Sequence, residues 1–146
     1  MEKTLPRKAL KPVVAVGKDA TVMDAIRAMV EKRVGAVMVL DEGRLLGIFT
    51  ERDVVVRVVL EGREPSKTRA ADVMTSAVKT IRDDTDRKVA RRLMADNHIR
   101  HLPVVDAAGK IVSMLSMRHL LRAEVSDLEQ TVWSLVSESA VDGPGG

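Results

Sequence analysis

Thr50 and Asp53 stand three residues apart in Gly47-Ile48-Phe49-Thr50-Glu51-Arg52-Asp53, between a strand-like run and an apolar segment that reads as a helix. Two chemistries suit that spacing. In a capping box, the hydroxyl and the carboxylate each take an orphan backbone N–H at a helix start. In a nucleotide site, the N–H groups and partial positive charge of the helix N-terminus attract a phosphate. A carboxylate one turn in then accepts hydrogen bonds from both ribose hydroxyls. The two residues by themselves leave both chemistries open.

Other reactive groups offer less. The chain has no cysteine, hence no disulfide, no thiolate nucleophile and no Cys-based metal site. His98 and His101 are three apart but straddle a helix-to-strand boundary, so no shared metal face is expected. A nucleophile needs a partnered base, and no Ser-His-Asp arrangement stands out, so no catalytic residue is expected. Asp83, Asp84 and Asp86 cluster at a helix start, where they favour the dipole. Lys3, Arg7, Lys8 and Lys11 form a basic arm read as a solvated tail. Arg87-Lys88 and Arg91-Arg92 read as a solvated outer helix face.

Composition narrows the classes further. Of 146 residues, 45% are hydrophobic, enough for a core, but Phe49 and Trp133 are the only aromatics, so that core must be aliphatic. The 24 basic and 21 acidic residues are interspersed and leave a net charge of +3, so anionic partners are plausible. With no stacking platform and no recognition helix, nucleic acid is not an expected partner. No apolar run approaches the ~18 residues of a membrane span, and the N-terminus lacks a signal-peptide core. A cytoplasmic protein is expected.

The elements that must position Thr50 and Asp53 occur twice, with a period of ~65 residues. Val13 to Val16 begins the first unit and Ala77 to Ile81 the second. Thr21 aligns with Thr85, each opening a helical pattern, and Asp24 completes a capping box with Thr21. The first helix runs to about Arg33, with Ala25, Ile26, Met29 and Val30 at helical spacing. Val37 to Leu40 and Leu45 to Phe49 form a hairpin, and Leu102 to Val105 and Ile111 to Leu115 repeat it. The valine-rich stretch Glu51 to Leu60 has strand propensity, but its counterpart, Met117 to Glu124, reads as helix, and helix is expected for both. Asp86 to Asn97 is a helix with Val89, Ala90, Leu93 and Met94 inward. Pro103 argues for an edge position or a backbone opening in its strand. A last helix from near Ser116 to about Ala140 carries Leu121, Val125, Leu128, Val132 and Leu135 at 4-3-4-3 spacing. It either lies on its own unit or forms a dimer. Asp142 to Gly146 should be disordered.

These features resemble the CBS-domain pair, or Bateman module, over about residues 10 to 125. The resemblance rests on the β-α-β-β-α order found twice, the Gly-apolar-apolar-Thr/Ser-x-x-Asp signature at Gly47 to Asp53, the lead-in Asp72-Val73-Met74-Thr75, and His101-Leu102-Pro103-Val104-Val105-Asp106. It implies an α/β (α+β) fold of tandem CBS repeats with pseudo-twofold symmetry. Its units would span 10–64 and 71–125, with 126–146 a C-terminal helix extension and tail. Two clefts between the units would be potential sites for an adenosine-containing ligand: AMP, ADP, ATP, S-adenosylmethionine or NAD. No catalytic cofactor and no metal are implied.

The resemblance also implies roles. Thr50 would contact phosphate, Asp53 the ribose, and Arg100 and His101 the phosphates from across the cleft, beside Pro103. Val16, Lys18, Ala20 and Thr21, with Ala36 and Val37, would lie near the base. The second motif departs from the pattern. Ser113 replaces the Gly and His119 the Asp, while Ser116 keeps the hydroxyl, so Ser116 and His119 would form a second, weaker site. The function expected is a stand-alone regulatory sensor acting through a homodimer or a regulated partner protein. The alternative is an interaction module without ligand binding.

Overall fold

The computed structural model describes Leu5 and residues 10–141, without the side chains of Lys11, Ala140 and Val141. The expected basic arm at Lys3, Arg7 and Lys8 and the tail from Asp142 to Gly146 lie outside the described residues.

The first unit is a three-stranded sheet, ordered β2-β3-β4, from β2 (Ala15–Gly17), β3 (Ala36–Asp41) and β4 (Arg44–Thr50). Its first helix, α1 (Val22–Lys32), begins at Thr21, whose hydroxyl accepts from the Asp24 N–H while the Asp24 carboxylate accepts from the Thr21 N–H. Arg33 ends the helix in the left-handed conformation at φ 55. Ala25 and Met29 are buried, but Val30 is 73% exposed, so the apolar stripe is narrower than the sequence spacing suggested.

The second unit repeats the order: β5 (Ile81–Arg82), α4 (Arg87–Asp96), β6 (His101–Val105), β7 (Ile111–Ser116) and α5 (Met117–Val141). A short α3 (Ala70–Val73) precedes it. Its sheet has the order β1-β7-β6-β5, where β1 (Leu10–Lys11) comes from the chain's start and Leu10 pairs with Leu115. Leu5 is buried in this unit's core with Met94, Leu102, Leu115 and Leu120. The first unit thus lends its leading segment to the second unit's sheet. Phe49, the valines of β3, and Val58 fill the first unit's core. Ala36, Met38, Ile48 and Met114 pack a third cluster drawing on both sheets.

Several expectations shift. The first strand of each unit is shorter and later than expected, at Ala15–Gly17 and Ile81–Arg82. Asp86, not Thr85, caps α4, accepting from the Lys88 N–H at 2.7 Å. Val89 is exposed, while Ala90 and Met94 are buried. Arg87 and Arg91 are not merely solvated: they bridge to Asp127 at 3.1 Å and Glu124 at 2.6 Å and fasten α4 to α5. Pro103 lies on an interior strand, not an edge, yet the backbone opening is there. In the first unit the Met38 N–H, at the matching position, donates to the Val14 carbonyl. Proline has no N–H to give, and β5 pairs with β6 only at Val104 and Val105.

The segment after Thr50 is helical, against its valine propensity. Only Glu51–Asp53 (α2) is α-helical; the chain then continues as a π-helix over Val54–Val59. The Leu60 N–H donates to the Val55 carbonyl and the Arg63 N–H to that of Val58, five residues back. The wider turn buries Val58 and leaves Val55, Val56 and Val59 exposed; Arg57, four residues beyond Asp53, stands on the same face. Among the described residues, no helix is long and apolar enough to cross a membrane.

Candidate functional site

Thr50 ends β4 in extended conformation, and the helix starting there is closed by a reciprocal capping box. The Asp53 N–H donates to Thr50 Oγ1 at 3.2 Å and the Thr50 N–H to Asp53 Oδ2 at 3.0 Å. The box does not exhaust either side chain. Thr50 Oγ1 acts there as acceptor and keeps its own proton to donate. A carboxylate offers about four lone-pair positions, and the box uses one. The guanidinium of Arg57 stands 3.6 Å from the remaining oxygen, Oδ1. Asp53 is only 6% exposed. Capping and ligand contact are therefore compatible uses of one pair.

Both residues line a cleft of about 820 Å³. Its opposite wall is the lead-in to the second unit, not the first strand of the first. Ile48 and Thr75 exchange two backbone hydrogen bonds of 2.9 Å, which pins that lead-in to β4. Gly47 permits the approach, for a Cβ there would meet the Thr75 carbonyl oxygen at 2.5 Å. Thr75, Ala77, Val78 and Lys79 consequently line the Asp53 cleft. Arg100 and His101 line it too, so the structure brings together Thr50, Asp53, Arg100 and His101.

It does not bring Val16, Lys18, Ala20 or Thr21 to that cleft. Val16 pairs with Val39 in the sheet, Lys18 bridges to Asp41 at 3.8 Å, the Ala20 carbonyl accepts from the Ala70 N–H, and Thr21 caps α1. Val37 and Pro103 are fully buried and line neither cleft described here. Ala36 lines the other one, a space of about 660 Å³, together with Ser116, His119, Pro12 and Val14. The units therefore exchange partners. Each unit's helix start faces the other unit's leading segment.

Sequence reasoning missed Arg57, Lys79 and the Thr75–Val78 wall. The repeat itself carried the signal. Pro12 to Val14 and Ala77 to Lys79 occupy equivalent places before their first strands, and Gly47 marks a close backbone approach.

Charge favours an anion in the Asp53 cleft. Arg52, Arg57, Lys79 and Arg100 line it against the carboxylates of Glu51 and Asp53. Gly35, Glu51, Arg100 and His101 form a wall common to both clefts. Burial holds His101 below the usual imidazole pKa; Glu51 opposes that shift, and His119 and Arg100 add to it. His98 also lines the Asp53 cleft, but no three potential metal-binding side chains cluster among the described residues.

The family model for the CBS domain matches twice, at residues 6–59 and 70–126. A mitochondrial CBS domain-containing protein of Arabidopsis thaliana is 39% identical over 114 residues, 75% of this chain and 55% of that protein. The chain spans 55% to 60% of the length of two curated relatives it matches. A solved protein with CBS domains from Burkholderia ambifaria superposes with TM-score 0.76 at 34% identity, covering 84% of this chain and 88% of that one. The cytosolic domain of the Mg2+ channel MgtE, solved in complex with ATP, superposes with TM-score 0.64 at 33% identity, covering 79% of this chain and 46% of that one.

Proposed function

Because the chain belongs to the CBS-domain family and carries the domain twice, we propose that it is a regulatory module, not an enzyme. It binds an adenosine-containing nucleotide in the Asp53 cleft and passes the signal to a partner protein or through its own dimer. AMP, ADP and ATP are the first ligands to consider; S-adenosylmethionine and NAD follow. The carrying observation is the Asp53 carboxylate, with unused acceptor positions beside the Thr50 proton, in a cleft lined by Arg52, Arg57, Lys79 and Arg100. Asp53 takes the ribose diol and the cations the phosphates. Val56, Ala77, Val78 and Ile99 offer apolar surface for the base. The ATP complex of the MgtE cytosolic domain supports this assignment.

Calorimetry with ATP tests it. Asp53→Asn retains an oxygen for the cap but loses the charge. It should weaken binding at least tenfold, about 1.4 kcal/mol. Equal affinity in variant and wild type would remove the site. In a thermal-shift series, saturating nucleotide should raise Tm by linkage.

The exposed stripe on α5 favours a second, compatible role in association. Leu128, Val132 and Leu135 are 65%, 59% and 61% exposed, at the spacing of a helix seam. We assign that face to a homodimer. A monomeric mass by light scattering at micromolar concentration would reject this. If every nucleotide leaves Tm unchanged while the dimer holds, the interaction module without ligand is the better description.

A further inference from the structure

The cleft containing Ser116 and His119 is where the chain departs from its own repeat, and its walls have a chemistry of their own. Ile26, Met29, Val30, Val54 and Met114 give it an apolar surface, and Val30 is 73% exposed. Arg33, Arg100 and Arg118 line it, and none of the three is in a salt bridge among the described residues. Glu51 is the only carboxylate among its lining residues. Where the first motif has Asp53, this one has His119, so the acceptor that would take a ribose diol is gone. The volume, about 660 Å³, falls within the ordinary range for small-molecule sites.

We propose that this cleft takes a phosphate carried on a compact apolar body, an aryl or short acyl phosphate, with no sugar required. The body lies against Met29, Val30 and Met114. Arg33 and Arg118 meet the phosphate, with a planar fork suited to its oxygens, and the Ser116 hydroxyl can donate a further hydrogen bond. The assignment is independent of the nucleotide reading, since Arg33, Arg118 and the apolar residues line only this cleft.

The test is calorimetry on the full chain with 1-naphthyl phosphate as probe, and with inorganic phosphate and 1-naphthol as its separate halves. The expected result is binding of the whole probe at least tenfold tighter than either half. Arg118→Ala, an exposed position whose folding a thermal melt verifies, should weaken it at least fivefold. Lys79→Ala, which alters only the Asp53 cleft, should leave it unchanged. No binding of the probe overturns the proposal. So does inorganic phosphate binding as tightly as the probe, or a loss seen with Lys79→Ala and not with Arg118→Ala.

Discussion

The guanidinium of Arg57 stands 3.6 Å from the Asp53 carboxylate, and its Nη1 donates to the Met74 carbonyl at 2.7 Å. One side chain therefore joins the helix that starts at Thr50 to the segment leading into the second unit. It reaches both because residue 57 stands four residues, about one helical turn, beyond residue 53 on the same face.

Arg57→Ala should loosen that junction. The group is about half exposed, so solvent screens the ion pair, and the hydrogen bond to the carbonyl carries most of the effect. The expected loss is about 1 kcal/mol. It should appear as a lower urea midpoint with an unchanged m value. An unaltered midpoint would mean that the two units are held together elsewhere.

Gly47→Ala should cost more. The added Cβ would lie 2.5 Å from the Thr75 carbonyl oxygen and 2.6 Å from Met74 Sδ. A methionine can turn aside; the Thr75 carbonyl, which accepts from the Ile48 N–H at 2.9 Å while the Thr75 N–H donates to the Ile48 carbonyl at 2.9 Å, cannot without breaking that pair. Overpacking of this kind typically costs about 1–3 kcal/mol, and nucleotide affinity should fall with it, because the same segment walls the cleft. Wild-type stability in the variant would show that the lead-in shifts freely.

The repeat, the hairpins and both capping residues of α1 were legible because they rest on local pattern: Thr21 with Asp24, and two short apolar runs on either side of Glu42-Gly43. The helix after Thr50 was legible only through its counterpart in the second unit. Its π winding was not, since an extra residue per turn leaves no mark among five valines. The exchange of leading segments between units was also hidden. Nothing local says that Lys79, rather than Lys18, faces Asp53; that depends on Thr75 pairing with Ile48 across the chain. Arg87 and Arg91 looked like solvated charges because their partners, Asp127 and Glu124, are remote in sequence.

Stability should fall on mild acidification, with His101 as one source. Burial depresses its pKa in the folded state, so below the ordinary imidazole value of about 6.5 the unfolded chain binds more protons than the folded one. This contribution is complete above that value and is lost as pH falls through the lower, folded pKa. His101→Gln should therefore show a smaller drop in Tm between pH 7.5 and 5.5 than the wild type. Phosphate bound beside the imidazole would raise its pKa again, so the wild type, relative to the variant, should bind ATP more tightly as pH falls. Parallel profiles for the two proteins, with and without ATP, would free His101 of both effects.

The chain supplies its own control for Asp53. Thr21–Asp24 and Thr50–Asp53 are the same reciprocal box, with N–H to oxygen distances of 3.0 and 3.1 Å in one and 3.0 and 3.2 Å in the other. The first closes α1 on an exposed surface, away from both clefts; the second is buried and opens onto one. If Asp53 were only a cap, Asp24→Ala and Asp53→Ala would act alike, lowering Tm and changing ATP affinity little. Capping by itself accounts for some stability at Asp53, the N3 partner in the box, and for no ligand contact. The expected outcome is a split. Both alanine variants melt earlier, Asp24→Ala binds ATP as the wild type does, and Asp53→Ala loses at least tenfold in affinity at a temperature where both remain folded. Equal affinities for the two variants would return Asp53 to the role that Asp24 already fills.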